Sequence, residues 1–185
     1  YRDIHMAGGI NMSRGEFQPG GGGRCWSVRN YLKLAGGPDW LPGDLKSVWT
    51  YYGIFPNNVI IATPETVQFY QELPIGVDRA RVRGIAYRRP EEDRRQRLAR
   101  YLTYRIDRET YAEDTQLSIW SNESMKSSAF EGFYLSDLER LVRAHHDRLR
   151  IVLPVMTLDQ PPPDSEMAAI NASMKRETES AMKAH

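Results

Sequence analysis

Two periodicities divide the chain, a strand-like alternation before Pro90 and a helical spacing after it. Residues 57–63 (NNVIIAT) and 66–73 (TVQFYQEL) are short runs rich in β-branched and aromatic residues, and Trp49 to Tyr52 is another. Pro56, Pro64 and Pro74 punctuate them, and the short Pro64-Glu65 gap predicts a hairpin between the last two runs. Residues 79–89 (RARVRGIAYRR) alternate arginine with Ala, Val, Ile and Tyr, as a half-exposed strand does. Residues 24–34 (RCWSVRNYLKL) also read as a strand, closed by Gly36-Gly37-Pro38. Residues 1–23, ending in Pro19 and four consecutive glycines, read as a loop.

At Pro90 the period lengthens. Pro90-Glu91-Glu92-Asp93 places proline and acids where a helix start favours them, and Leu98, Tyr101 and Leu102 keep helical spacing. Residues 103–110 (TYRIDRET) fit either that helix or one more strand. A second helix, to about Lys126, carries Asp114 on what reads as a largely apolar face. A third begins at Ser136 with Glu139 completing a capping box. Its stripe runs through Leu138, Leu141, Val142, His145, Leu149 and Val152, and Pro154 stops it. Residues 159–185 open on three prolines and continue as a polar tail. Strands followed by helices predict an α+β fold, a curved antiparallel sheet gripping a long C-terminal helix.

Composition narrows the function. One cysteine, Cys25, excludes an internal disulfide framework and any cluster needing two thiolates from this chain. It suits a reducing compartment, so a cytoplasmic location is expected. No apolar run is long enough to span a membrane as a helix. Residues 79–108 hold eleven arginines against four acids, which suggests a nucleic-acid face. Aromatic stacking positions are not interleaved there, so a solvated surface that discourages edge pairing is the stronger reading and no nucleic-acid partner is expected. No nucleophile elbow is present. Of the four histidines, His145 lies on an apolar stripe, where core packing is the ordinary role, with His146 one position off it. Asp114 stands out, because a carboxylate on a mostly apolar face needs a cation, a donor or a metal.

Three segments around these residues resemble the catalytic domain of Rieske-type non-haem iron oxygenases, the α subunits of aromatic-ring-hydroxylating enzymes. They are Ile54-Phe55-Pro56-Asn57-Asn58-Val59-Ile60-Ile61; Glu113-Asp114 with Asn122 and Met125-Lys126-Ser127-Ser128; and Leu135-Ser136-Asp137-Leu138-Glu139 with Ala144-His145-His146. Together they cover roughly residues 46–154. The resemblance implies a helix-grip fold similar to START/Bet v 1 domains, with residues 1–158 as an N-terminally truncated catalytic domain and 159–185 as a tail. It implies a mononuclear Fe(II) held by two histidines and a carboxylate, with Asp114 the carboxylate and catalytic centre. His5, 109 residues earlier, would be one histidine, and its partner would precede Tyr1. A [2Fe-2S] Rieske cluster is expected only in a preceding segment.

The implied reaction inserts oxygen from O2 into a small organic substrate, aromatic, hydrophobic or a quaternary amine. Electrons would come from a reductase or ferredoxin, and the assembly would be a homotrimer. Such a portion alone is expected to be inactive. Asn122, Glu123 and Ser124 depart from the family pattern. Trp49, Phe55, Phe69, Tyr87 and Trp120 are candidate pocket walls. The competing readings are a metal-free helix-grip module for a hydrophobic ligand and an arginine-rich nucleic-acid binder.

Overall fold

The structure is a computed structural model that describes residues 4–17 and 25–183, with side chains at 6–17 and 25–177. The glycine run at 20–23 lies outside the described residues. The chain forms two compact units, residues 1–133 and 134–185. The expected boundary at 158/159 falls inside the second.

The first unit is a six-stranded antiparallel meander in the order β1-β2-β3-β4-β5-β6. Its strands are β1 (Ile4–Ala7), β2 (Ile10–Glu16), β3 (Val48–Ile54), β4 (Asn58–Ala62), β5 (Val67–Gly76) and β6 (Arg79–Tyr87). The alternating runs from residue 48 onward form strands, and the Pro64-Glu65 hairpin joins β4 to β5 as expected. Thr63 closes that turn: its amide donates to the Thr66 carbonyl, and its hydroxyl accepts from the Glu65 and Thr66 amides.

Two expectations before residue 48 fail. Residues 4–16 are a hairpin and not a loop, turning through Gly8 and Gly9, whose φ values of 52° and 90° are open to glycine at little cost. Residues 26–34 form a helix, α1 (Trp26–Leu34), and not a strand. Val28, Tyr31, Leu32 and Ala35 recur at i, i+3, i+4 and i+7, and that spacing outweighs the local alternation.

The helical region is also simpler than expected. A single helix, α2 (Arg94–Met125), replaces the two helices and the optional strand. Asp93 caps it, accepting from the Gln96 amide at 2.7 Å while Gln96 Oε1 accepts from the Asp93 amide. The core lies where α1 crosses α2: Tyr31, Leu32, Ala35 and Leu102, flanked by Phe17, Val28, Trp49 and Ile106. Burying each large apolar side chain contributes about 1.5–3 kcal/mol. Tyr31 meets Phe17 and Trp49 edge-on, at 5.3 and 5.6 Å. Its hydroxyl donates to Glu65 and accepts from Trp49 Nε1.

Glu65 is 1% exposed and also accepts from the Gly36 amide, so the hairpin tip is tied to the end of α1. Burial raises its carboxyl above the ordinary range. Gly37, at φ 61°, follows; a Cβ there would fall 2.7 Å from the Pro64 carbonyl oxygen. Arg95 adds a further tie, donating to the carbonyls of Leu34 and Ala35.

The second unit holds α3 (Arg140–Val152) and α4 (Asp164–Lys183). The Ser136–Glu139 capping box forms as expected. Asn171 of α4 accepts from the Val155 amide at 3.1 Å, fixing α4 to the turn after Pro154. The polar tail is therefore largely helical.

Candidate functional site

From Tyr104 onward, side chains of α2 reach β5 and its two ends. Tyr104 Oη lies 3.3 Å from Thr66 Oγ1, Asp107 meets Gln68, Tyr111 meets Tyr70, and Lys126 reaches Asp78 beyond the end of β5. Tyr104, Asp107, Tyr111 and Asp114 occupy positions i, i+3, i+7 and i+10, one stripe of the helix. The sheet answers with Gln68 and Tyr70, which share a face because they are two residues apart.

Between them lies a cleft of about 400 Å³ lined by Gln68, Tyr70, Gly84, Ile85, Ala86, Tyr104, Asp107, Arg108 and Tyr111. Gly84 makes the cleft possible. A Cβ there would stand 2.5 Å from Tyr70 Cδ1, so the ring lies against β6 only because that side chain is absent.

A hydrogen-bonded relay fixes the polar groups. Tyr70 Oη donates to Gln68 Oε1, and Gln68 Nε2 donates to Asp107 Oδ2 at 2.6 Å. The rings of Tyr70 and Tyr111 lie 5.5 Å apart and tilted by 56°. Desolvation raises the Asp107 carboxyl above its ordinary value, with the Gln68 bond opposing it in part. Both Tyr70 and Tyr111 are raised, by burial first and then by nearby charge. For Tyr111 the charges are those of Asp107, Glu72 and Asp114. At Tyr70, Tyr111 and Asp107 burial favours the neutral form, which suits orienting hydrogen bonds.

Asp114 lies two turns beyond Asp107 on this stripe and is exposed, contrary to the expected apolar setting. Every residue from Arg108 to Ser121 is exposed, including Leu117, Ile119 and Trp120. The pattern of an amphipathic helix is present there without the cover that its apolar positions anticipate.

His5 pairs with Met12, and the register row continues through Tyr52, Ile60, Phe69 and Ile85. Gln68 and Tyr70, which meet α2, stand in the two flanking rows. From β1 to β5 is four ladder steps, roughly 19 Å at about 4.8 Å per step. Among the described residues no group of three or more His, Cys, Asp or Glu could hold a metal.

Of the expected pocket walls, Tyr87 lines a cavity other than this cleft. Trp49 is in the core, Trp120 is exposed, and Phe69 stands one residue out of step with the cleft-facing pair. Sequence reasoning missed Asp107, Gln68 and the three tyrosines. The available signal was Asp107, two helical turns before Asp114.

Three arginines of residues 79–108 have local partners. Arg100 binds Glu92 bidentately at 2.7 and 2.8 Å, Arg105 binds Glu109, and Arg83 binds Gln71. No helix among the described residues is long and apolar enough to cross a membrane.

The profile of the ring hydroxylating alpha subunit (catalytic domain) family matches residues 9–154. The chain belongs to this family. The match runs from β2 into the turn after α3; Asp114 and the cleft fall inside it, and His5 falls outside. Membership supports an oxygenase function; the family generally uses non-haem iron and works with reductase or ferredoxin partners in oligomers. No curated protein and no solved structure matches the chain significantly.

Proposed function

We infer that this chain supplies the substrate cleft and one carboxylate ligand of an oxygenase α subunit. A small organic substrate lies against Tyr70, Tyr104 and Tyr111, and Asp114 is the carboxylate that holds mononuclear Fe(II). The observation that carries this reading is the single helix stripe Tyr104–Asp107–Tyr111–Asp114, whose first three members line the cleft while Asp114 follows one turn beyond it, within the matched span. In this role Gln68, held by Asp107, locks Tyr70, and the hydroxyls of Tyr104 and Tyr111 orient a polar group of the substrate while the rings exclude water.

His5 remains the proposed histidine ligand; it stands on β1, at one edge of the sheet. The described residues do not complete an iron site, so the reading draws its remaining ligands, O2 chemistry, Rieske cluster and reductase electrons from parts outside them. A trimer, in which one subunit's cluster serves the next subunit's iron, accords with that division.

Anaerobic titration with Fe(II) tests the assignment. Asp114→Ala is expected to lower iron affinity by about tenfold or more, the loss typical when a metal site's organisation is broken. Equal affinity in Asp114→Ala and the parent chain refutes it. His5→Ala separates the two ligands: unchanged affinity removes His5 and leaves Asp114 standing. Hydrophobic-ligand binding in the cleft with no iron dependence favours the metal-free helix-grip module instead.

A further inference from the structure

The opposite face of the sheet carries a second cavity, of about 390 Å³. Its floor is one register row, Arg14–Thr50–Ala62–Val67–Tyr87, crossing five strands from β2 to β6. This row flanks that of Phe69 at a two-residue step, so it lies on the face turned away from Gln68 and α2. Trp40 and Leu41, from the loop after α1, form a side wall, and Tyr52 extends the apolar floor.

The charge of the cavity is one-sided. Arg14, Arg88 and Arg89 line it, and Glu65 is its single acidic residue. Glu65 is already engaged by Tyr31 and the Gly36 amide, and Glu92, whose charge acts on Arg88 and Arg89, is held bidentately by Arg100. Arg89 stacks over the Trp40 ring at 5.6 Å. Its Nη2 is buried and has no hydrogen-bond partner among the described residues. A buried guanidinium nitrogen left without an acceptor costs free energy that a bound anion would recover.

We propose that this trough is a binding site for a small organic carboxylate with an apolar body, its carboxylate on Arg89 and its body between Trp40, Tyr52, Val67 and Tyr87. The volume lies within the range of small-molecule sites, and a planar guanidinium fork matches a carboxylate bidentately. The site is separate from the α2 cleft and does not depend on iron.

Calorimetric titration with 4-phenylbutyrate, 4-phenylbutanol and 4-phenylbutylamine tests it, because the three share a body and differ in the head group. The carboxylate is expected to bind about tenfold more tightly than the alcohol, with the amine weakest. Arg89→Met, its fold checked by urea midpoint, should erase the carboxylate's advantage, and Arg89→Lys should retain part of it. Trp40→Ala should weaken acid and alcohol together, and Asp114→Ala should change neither. Equal binding of acid and alcohol, no binding of the acid, or an Arg89→Met chain with undiminished preference overturns the proposal. Should Arg89→Met fail to fold, Arg89→Lys decides alone: an undiminished preference overturns it.

Discussion

The two halves of α2 are one continuous helix with opposite settings. From Arg94 to Asp107 it is anchored: Ala99, Leu102 and Thr103 are buried, Ile106 packs on the core, and Arg95 and Arg100 are held by partners on other segments. From Arg108 to Ser121 it is exposed throughout, yet Leu117, Ile119 and Trp120 stand among its polar residues. The first half holds the fold. The second presents Asp114 beyond the cleft and gains little stability from doing so.

Urea unfolding can break that contrast. Leu102→Ala should cost about 2–5 kcal/mol, the usual range for emptying a buried leucine site. A loss below about 1 kcal/mol would mean the α1–α2 crossing is not the core. Glu92→Gln should cost about 1.5–3 kcal/mol, because a bidentate, largely covered ion pair is replaced by a neutral contact. Its sign with pH follows from direction. Arg100 holds the Glu92 carboxyl below its ordinary 4.5, so the parent's advantage over Glu92→Gln is present above that pH and lost as pH falls.

Asp107, where the halves meet, has the opposite sign. Its folded carboxyl lies above the ordinary 3.8, so the native state binds a proton more readily than the unfolded chain does. Stability is therefore lost as pH rises through the folded value, and Asp107→Asn should remove that loss. Stability of the parent relative to Asp107→Asn should fall as pH rises above about 3.8; a flat or rising difference contradicts the desolvated setting. Leu117→Ser, at the small end, should change stability by no more than about 0.5 kcal/mol.

The same contrast shows what the sequence disclosed. Anchored segments left period signals: the alternation in residues 57–73 became β4 and β5, and the Ser136–Glu139 spacing became a cap. Where reading failed, two signals competed. Residues 26–35 carry helical spacing beneath a local alternation, and the Gly8-Gly9 hairpin signal between Ile4–Ala7 and Ile10–Glu16 is set in a glycine-rich stretch that also fits a loop. The stripe containing Asp114 could be placed on a helix, but its exposure could not be foreseen, because apolar residues at helical spacing record a need for cover and not where the cover comes from. Gln68 and Tyr70 were invisible for another reason: which face of β5 meets α2 depends on register across the whole sheet.

The most direct test reads iron affinity and stability in the same Asp114→Ala chain. The prediction is an anaerobic Fe(II) affinity lower by about tenfold or more with a urea midpoint shifted by no more than about 0.5 kcal/mol equivalent, since Asp114 serves a ligand and not the fold. An unchanged affinity, or a loss of affinity matched by a comparable loss of stability, would contradict the division of α2 into a structural half and a functional one.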